Sequence, residues 1–292
     1  MHLKHTLFLF FITCMSFSQT KKVYLNKKSI ENSPKLINYT RNDFKGDPQF
    51  WTMCEAPDKS LIFGNNDGAL IFDGEHWQKV SLPNNSNVRC IVKTTDDKIY
   101  VGGFNEIGVL EKNKFGSYFY KSLINELHLQ DKNLENLWQV HQYKNLIIYR
   151  TFLQLIVING NRVTQLPPNK EFLYSASIGE NYFVQDLDYG VYKLNSKSIN
   201  LEPVFDNKLF NNDELVSILP TKDPNIMLLV SKAGTIYTGD ISKKEIINKK
   251  FLFSGEKTDQ VSNAICLENF YYLFGTLSSK IIRLNNNGTI NY

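Results

Sequence analysis

The 292-residue chain is 42% hydrophobic and 21% charged, and it carries a formal net charge of +4. This length allows one or two domains with a sizeable core. Lysines and arginines are interleaved with acidic residues, whereas a nucleic-acid-binding protein concentrates positive charge on one face. We therefore expect no nucleic-acid partner.

Residues 1–18 have the pattern of a secretory signal peptide. Lys4 precedes an apolar stretch over residues 7–17, and Ser18 supplies a small residue at the cleavage site. This stretch is shorter than the roughly 20 residues that a helix needs to cross a bilayer. The pattern favours cleavage after Ser18 over a retained anchor or a lipid on Cys14. No later segment is apolar enough to cross, so we expect an exported mature chain without a membrane span.

Three cysteines, Cys54, Cys90 and Cys266, follow the predicted cleavage site. Their odd number and wide spacing argue against a disulfide framework. We expect buried free thiols, and the alternative is one bridge with one free thiol. No histidines have the spacing of a metal site, so the sequence predicts neither a metal ion nor a cofactor.

The chain after the signal contains a repeat. Segments such as "IFGNNDGALIFDG" from Ile62 and "YVGGFNEIGVLEK" from Tyr100 consist of two apolar runs around a turn. Six turn positions lie 36 to 46 residues apart, at Gly68, Gly108, Gln154, Gly190, Gly234 and Lys280. A period of about 42 residues with several short strands per unit is typical of propeller blades.

Each unit has a first strand before this pair, such as "FWTMCEA", and most have a more polar fourth strand, such as "HWQKVSL". Runs rich in Val, Ile, Phe and Tyr between Gly, Asp, Asn and Pro are typical of antiparallel strands. Trp51 and Trp138 occupy similar places in first strands, and we interpret them as core residues between blades. Residues 123–137 fit a loop with a short helical turn.

Two turns of the first unit have an expected backbone role. Asp73 and Gly74 form a strong hairpin signal between two strands. Gly68 is expected to supply a positive φ or a close backbone approach. The segment "GGFNEIG" at residues 102–108 is interpreted as a β-turn, because a phosphate-binding loop would be followed by a helix.

These patterns predict an all-β fold, a β-propeller of about six four-stranded blades, with an incomplete part of a larger propeller as the alternative. The expected organisation is a signal peptide at 1–18, an N-terminal segment at 19–48 and propeller repeats at 49–292. A propeller must close its ring to avoid an unpaired edge. We expect residues from about Val23 to Tyr39 to add an outer strand to the last blade.

The stretch from Asn38 to Trp77, "NYTRNDFKGDPQFWTMCEAPDKSLIFGNNDGALIFDGEHW", resembles the two-component regulator propeller repeat. Its first strand, Asp-containing turn, "LIFG" run and Asn/Asp/Gly turn follow in that order. The resemblance extends over residues 38–292, although Gln154 and Lys280 depart from the pattern. It implies the front portion of a periplasmic sensor, as in hybrid histidine kinases or LuxR-like regulators, without its membrane and output domains.

Propeller loops of one type emerge on one face, so polar residues near the turns of successive units are expected to line one mouth. Aromatic, amide and carboxylate groups suit sugar hydroxyls and ring surfaces. The candidate ligand-binding residues are Asn66, Asp67, Asn105, Glu106, Tyr149, Arg150, Asp186, Tyr189 and Lys232. The resemblance implies an oligosaccharide ligand and no enzymatic activity. The alternatives are a protein-interaction scaffold, with a protein partner or self-association, and a carbohydrate-active enzyme that uses acids such as Asp67 or Asp186.

Overall fold

A computed structural model of the chain describes residues 36–210, 213–253, 259–285 and 289–291. The chain divides into two units, Met1–Tyr39 and Thr40–Tyr292. In the first unit, the described residues 36–39 are exposed and have no regular secondary structure. The predicted signal peptide lies outside the described residues. No helix among the described residues is long and apolar enough to cross a membrane.

The second unit is a six-bladed β-propeller, as the repeat predicts, and every blade is a four-stranded antiparallel sheet. Blades 1 to 3 consist of β1 (Phe50–Glu55), β2 (Leu61–Asn65), β3 (Gly68–Phe72), β4 (Trp77–Val80), β5 (Val88–Lys93), β6 (Ile99–Gly103), β7 (Ile107–Lys112), β8 (Tyr118–Ser122), β9 (Gln139–Tyr143), β10 (Leu146–Arg150), β11 (Leu155–Asn159) and β12 (Arg162–Leu166).

Blades 4 to 6 consist of β13 (Phe172–Ile178), β14 (Asn181–Asp186), β15 (Gly190–Asn195), β16 (Asn200–Asp206), β17 (Leu215–Pro220), β18 (Ile226–Ser231), β19 (Thr235–Asp240), β20 (Glu245–Phe251), β21 (Val261–Cys266), β22 (Tyr272–Thr276), β23 (Ile281–Leu284) and β24 (Ile290–Asn291). A short helix, α1 (Arg41–Phe44), precedes β1, and two 3-10 turns cover Asn207–Phe210 and Glu268–Phe270.

The core lies between the blades. Side chains alternate between the two faces of a strand, so each blade presents apolar residues to both neighbours. Hydrophobic clusters join blades 1 and 2, 2 and 3, 3 and 4, 4 and 5, and 5 and 6. The loop at 123–137 adds buried leucines to the cluster between blades 2 and 3, including Leu127 and Leu134. This loop contains one helical turn, in which Leu127 N–H donates to Leu123 O at 2.8 Å.

The junction between blade 6 and blade 1 is packed differently. On blade 1, Trp77 packs on Phe63 at 5.6 Å and on Phe44 of α1 at 5.7 Å between ring centroids. Large side chains on both blades remain exposed, with Met53 62% and Ile281 68% accessible. Among the described residues, none of the hydrophobic core clusters joins blade 6 to blade 1.

Most of the predicted outer strand from Val23 to Tyr39 lies outside the described residues, so it stays a prediction. In the structure, the fourth strand of blade 6 is β24, which pairs with β23 through Leu284 and Ile290. Cys54, Cys90 and Cys266 are free thiols, as expected, and Cys90 is buried.

Candidate functional site

The predicted mouth corresponds to one end of the propeller axis. In each antiparallel blade, the start of the first strand pairs with the end of the second strand, as Phe50 does with Asn65 in blade 1. The turn that follows the second strand therefore lies beside the start of the first strand. We call this end of the ring the channel mouth.

A β-bulge recurs at the start of the first strands. The pairing of the first and second strands shifts by one residue in blades 1, 2, 4, 5 and 6. The extra residues are Trp51, Arg89, Leu173, Val216 and Ser262. In blade 3, Trp138 directly precedes β9, and its N–H donates to Arg150 O at 2.9 Å. A bulge re-aims a side chain out of the regular alternation of the strand. These six equivalent positions therefore surround the channel mouth.

Three of the six residues form one cluster, which we call the Trp–Arg–Trp cluster: Trp51, Arg89 and Trp138. The Arg89 guanidinium carbon lies 3.5 Å from the ring centroid of Trp51 and 5.0 Å from that of Trp138. The two indole rings are 6.2 Å apart in an edge-to-face arrangement. The cluster thus connects blades 1, 2 and 3 across the mouth. Our interpretation of the tryptophans as core residues between blades is wrong for Trp51, which is 36% exposed.

Two nitrogen atoms of the Arg89 side chain lack hydrogen-bond partners in the protein. Its Nε and Nη1 atoms are buried and have no hydrogen-bond partner, and no described carboxylate forms an ion pair with it. Burial lowers the pKa of Arg89, because removal from water disfavours the charged form. The guanidinium is held instead by cation–π attraction to the indole faces.

A hydrogen-bond chain fixes Trp51 in place. The Trp51 Nε1–H donates to Asn66 Oδ1 at 2.8 Å, and Asn66 Nδ2 donates to Asp47 Oδ1 at 3.0 Å. The neighbouring Asn65 Nδ2 donates to the carbonyl oxygens of Asp47 and Gln49 at 2.7 and 2.9 Å. The "NND" turn therefore positions the segment before β1, and through it the indole ring.

Five of the nine predicted residues have exposed or partly exposed positions at the mouth: Asn66, Asp67, Asn105, Tyr189 and Lys232. Tyr189 is 58% accessible. Asp67 lies 3.9 Å from Lys79, and Lys232 forms an ion pair with Glu214 at 3.0 Å. Asn105 Oδ1 accepts hydrogen bonds from the N–H groups of residues 134 and 135 at 2.7 and 2.8 Å.

The other four, Glu106, Tyr149, Arg150 and Asp186, are buried, which corrects their expected place on the mouth surface. Tyr149 OH donates to a backbone carbonyl at 3.1 Å, and Tyr120 OH donates to Glu106 Oε1 at 3.0 Å.

Arg150 and Asp186 are also used inside the protein. Arg150 Nε donates to Gln139 Oε1 at 2.9 Å, and Asp186 Oδ2 accepts from the Asn169 N–H at 2.6 Å. Both residues lie at the ends of second strands. Arg150 Nη1 donates to Phe172 O of blade 4, whereas Asp186 binds Asn169 in the loop before β13.

The sequence analysis did not identify Arg89 as a site residue. It also did not identify Phe104 and Leu153, two exposed apolar residues in the turns that follow the second strands of blades 2 and 3. An alignment of the first strands would have shown Trp51, Arg89 and Trp138 in one column. That column is the available signal for the mouth, because Trp51 and Arg89 occupy bulges and Trp138 lies at the equivalent position before β9.

Clefts also occur between blades, away from the mouth. One of about 330 Å³ is lined by Asp58, Lys112 and Tyr118. There, Tyr118 OH donates to Asp58 at 2.9 Å, and Lys112 also donates to this carboxylate. These hydrogen bonds hold the pKa of Asp58 well below its usual range despite burial, which acts in the opposite direction. The polar groups of this cleft thus already bind one another.

Side chains suited to metal binding do not cluster in the part of the chain that the structure describes. Among the described residues, no three His, Cys, Asp or Glu side chains are placed to hold a metal ion. His141 lies in β9 and pairs with Ile148, and its Nε2 is buried. His76 follows the hairpin turn at the other end of blade 1.

The fold and the mouth define the chain as a β-propeller with an aromatic and cationic channel entrance. No protein-family model matches the sequence, and no curated protein matches it. The structure is similar to the extracellular domain of the putative hybrid two component system BT4673 from B. thetaiotaomicron, with a TM-score of 0.63 and 14% identity over 83% of this chain. The chain spans 32% of the length of that domain.

Two other propellers have comparable similarity. Virginiamycin B lyase from Staphylococcus aureus has a TM-score of 0.65 at 14% identity, covering 86% of this chain and 85% of the lyase. The WD40 beta propeller domain of Doa1 has a TM-score of 0.64 at 12% identity, covering 85% of this chain and 82% of that domain. At these identities the similarity establishes the propeller fold, and function has to be argued from the site.

Proposed function

We propose that this chain is an exported, non-enzymatic sensor propeller that binds an oligosaccharide at the channel mouth. In this proposal it acts in the periplasm as the input part of a regulator of the two-component propeller type. The observation that carries the proposal is the Trp–Arg–Trp cluster, which presents indole rings from blades 1 and 3 at the entrance. The signal-peptide pattern and the structural similarity to an extracellular sensor domain support the cellular location.

The mouth has the chemistry that carbohydrate recognition requires. Indole faces bind the apolar CH surfaces of sugar rings, and amide, carboxylate and amine groups bind hydroxyls. Trp51 is 36% exposed, and Tyr189 adds a second accessible aromatic ring. Asn66, Asp67 and Lys232 supply polar groups on the surrounding turns.

A lyase or hydrolase activity has less support from the same site. The buried carboxylates Glu106 and Asp186 accept hydrogen bonds from protein groups, so they hold the turns in place. Asp188, in the same turn as Tyr189, forms an ion pair with Lys170 at 3.2 Å. Glycosidic bond cleavage requires two carboxylic groups that face one substrate.

A protein-binding scaffold is the second candidate function. Exposed apolar residues at the turns of three blades favour it: Phe104, Leu153 and Leu277. Apolar patches on a folded surface often mark protein contacts.

Fluorescence titration of the purified protein with a panel of oligosaccharides tests the proposal. Trp51 and Trp138 are two of the three tryptophans, so a ligand at the mouth should change the emission. We expect saturable binding, with Kd between about 1 μM and 1 mM. Trp51→Ala or Trp138→Ala should weaken it about tenfold or more, because each removes a stacking surface.

The matched control is Trp77→Phe, since Trp77 lies in the fourth strand at the opposite end of blade 1. This variant should keep the affinity. If calorimetry detects no heat of binding for any glycan, oligosaccharide sensing is overturned and the scaffold function remains. Chromatographic detection of released products, abolished in Asp67→Asn or Asp186→Asn, would overturn the non-enzymatic assignment.

A further inference from the structure

Arg89 differs from the buried arginine of blade 3 in how its donors are used. Arg150 donates from Nε to Gln139 Oε1 at 2.9 Å and from Nη1 to Phe172 O at 3.0 Å. The same two atoms of Arg89 are buried and have no partner. A buried donor without a partner is costly, and the cost is larger when the group is charged.

The tryptophans do not replace the missing partners. Cation–π attraction uses the flat face of the guanidinium, and Trp51 lies over that face at 3.5 Å. Guanidinium N–H groups point outward in the plane of the group, where a carboxylate or a sulfate is bound by two parallel hydrogen bonds. Nε and Nη1 are buried, whereas Nη2 is not among these buried atoms, so the Nη2 end of the guanidinium is the part that a ligand reaches first.

Acidic residues of the mouth turns are already engaged. Asp67 lies next to Lys79, and Asp188 pairs with Lys170. The Glu106 carboxylate accepts hydrogen bonds from Tyr120 and Ser122. Among the described residues, none of these acids pairs with Arg89, so the positive charge of the cluster is not neutralised by the protein.

We propose that Arg89 binds an anionic group of the ligand, a carboxylate or a sulfate ester, and that the mouth selects acidic over neutral oligosaccharides. This inference rests on the proposed function, since it specifies the ligand of the same site. The adjacent indole faces would hold the sugar ring that carries the anionic group. An anion at the Nη2 end would offset the positive charge of Arg89, which no described carboxylate pairs with.

Matched pairs of ligands test the inference without any mutation. One pair is tri-galacturonate and its fully methyl-esterified form, and the other is lactose 3′-sulfate and lactose. Each pair keeps the sugar skeleton and removes the charge. In calorimetric titrations of the purified protein, the acidic member of at least one pair should bind about tenfold or more tightly than its neutral partner. The pair that shows the difference identifies carboxylate or sulfate as the recognised group.

Substitutions of Arg89 then test whether this residue causes the preference for acidic ligands. Arg89→Gln should reduce the preference for the acidic ligand to about onefold, whereas Arg89→Lys should keep part of it, because it retains the charge and loses the bidentate geometry. Arg162→Gln is the matched control, since Arg162 is an exposed arginine that begins the fourth strand of blade 3. It should leave both affinities unchanged.

The possible failures are distinguishable. Equal binding of the acidic and neutral members of both pairs would overturn the anion inference and leave oligosaccharide sensing intact. An acidic preference that persists in Arg89→Gln would also overturn it. Absence of binding by every glycan, charged and neutral, would overturn both the inference and the proposed function.

Discussion

The indole rings of Trp51 and Trp138 are 6.2 Å apart although they belong to blades 1 and 3, which are not neighbours in the ring. Arg89 from the intervening blade lies over both rings. Trp51 and Arg89 occupy the bulges of their first strands, and Trp138 lies at the equivalent position directly before β9. The mouth is therefore asymmetric, with aromatic and cationic residues on blades 1 to 3 and Leu173, Val216 and Ser262 at the equivalent positions of blades 4 to 6.

Arg89 and Arg150 should respond to the same substitution in opposite ways. Arg89→Met removes a charge with two unpartnered buried donors, so we expect the free energy of unfolding to rise by about 1 kcal/mol, even after loss of the cation–π contacts. Arg150→Met leaves the acceptors of Gln139 and Phe172 without their donor, and we expect a loss of about 2–4 kcal/mol. Urea unfolding of both variants measures this difference. Strong destabilisation by Arg89→Met would contradict the unpaired state of Arg89.

Two glycines of blade 1 share a positive φ and differ in their surroundings. Gly68 has φ +118°, and an added Cβ would lie 2.4 Å from Val80 O, whereas Gly74 has φ +107° with nothing within 4 Å. Gly74→Ala should cost about 1 kcal/mol, the price of this conformation for an L-residue. Gly68→Ala should cost about 2 kcal/mol or more, because β4 must also move. Thermal melting of the two variants checks the order, and equal melting temperatures would contradict it.

The stability of the protein should depend on pH through His141. Burial, and secondarily the charge of Arg150, lowers the pKa of His141 to about 4. In the unfolded chain the pKa is about 6.5, so the unfolded state binds more protons between these values. The contribution is therefore fully present above about pH 6.5 and falls by roughly 3 kcal/mol as the pH drops to about 4.

Unfolding free energies at pH 7.5 and 4.5 test this dependence. His141→Gln should lose less stability over this interval than the unsubstituted protein. His76→Gln, at an exposed histidine, should behave like the unsubstituted protein. The assignment fails if His141→Gln retains the full pH dependence.

Substitutions of two adjacent isoleucines in β23 test how tightly blade 6 packs against blade 1. Ile282 is fully buried against blade 5, while Ile281 points to the other face of blade 6 and is 68% accessible. Ile282→Ala should cost about 2–5 kcal/mol. Ile281→Ala should change the free energy of unfolding by less than about 0.5 kcal/mol. Chemical denaturation measures both, and a large loss for Ile281→Ala would show that blade 6 is tightly packed against blade 1 in solution.

Much of the fold can be read from local sequence. Apolar runs of four to seven residues, punctuated by turn residues such as Asp73 and Gly74, specify the strands, and their period of about 42 residues specifies the blades. Hairpin connections join strands that are consecutive in the chain, so the sheet order requires no long-range information. Blade 6 follows this order as well, since β24 follows β23 directly.

Position along the chain did not determine which polar residues reach the mouth. Tyr149, Arg150 and Asp186 have the spacing of mouth residues, but their side chains are buried. The face on which a strand residue lies depends on the register of its blade, and one bulge shifts that register by a residue.

Local sequence specifies the strands, the turns and the number of blades, because hydrogen bonding and apolar alternation act between near neighbours in the chain. That Trp51, Arg89 and Trp138 form one site follows from the tertiary structure. These residues are 38 and 49 positions apart in the chain. Their contact arises because inter-blade packing places the starts of the three first strands beside one another at the mouth, and that packing depends on residues throughout the first three blades.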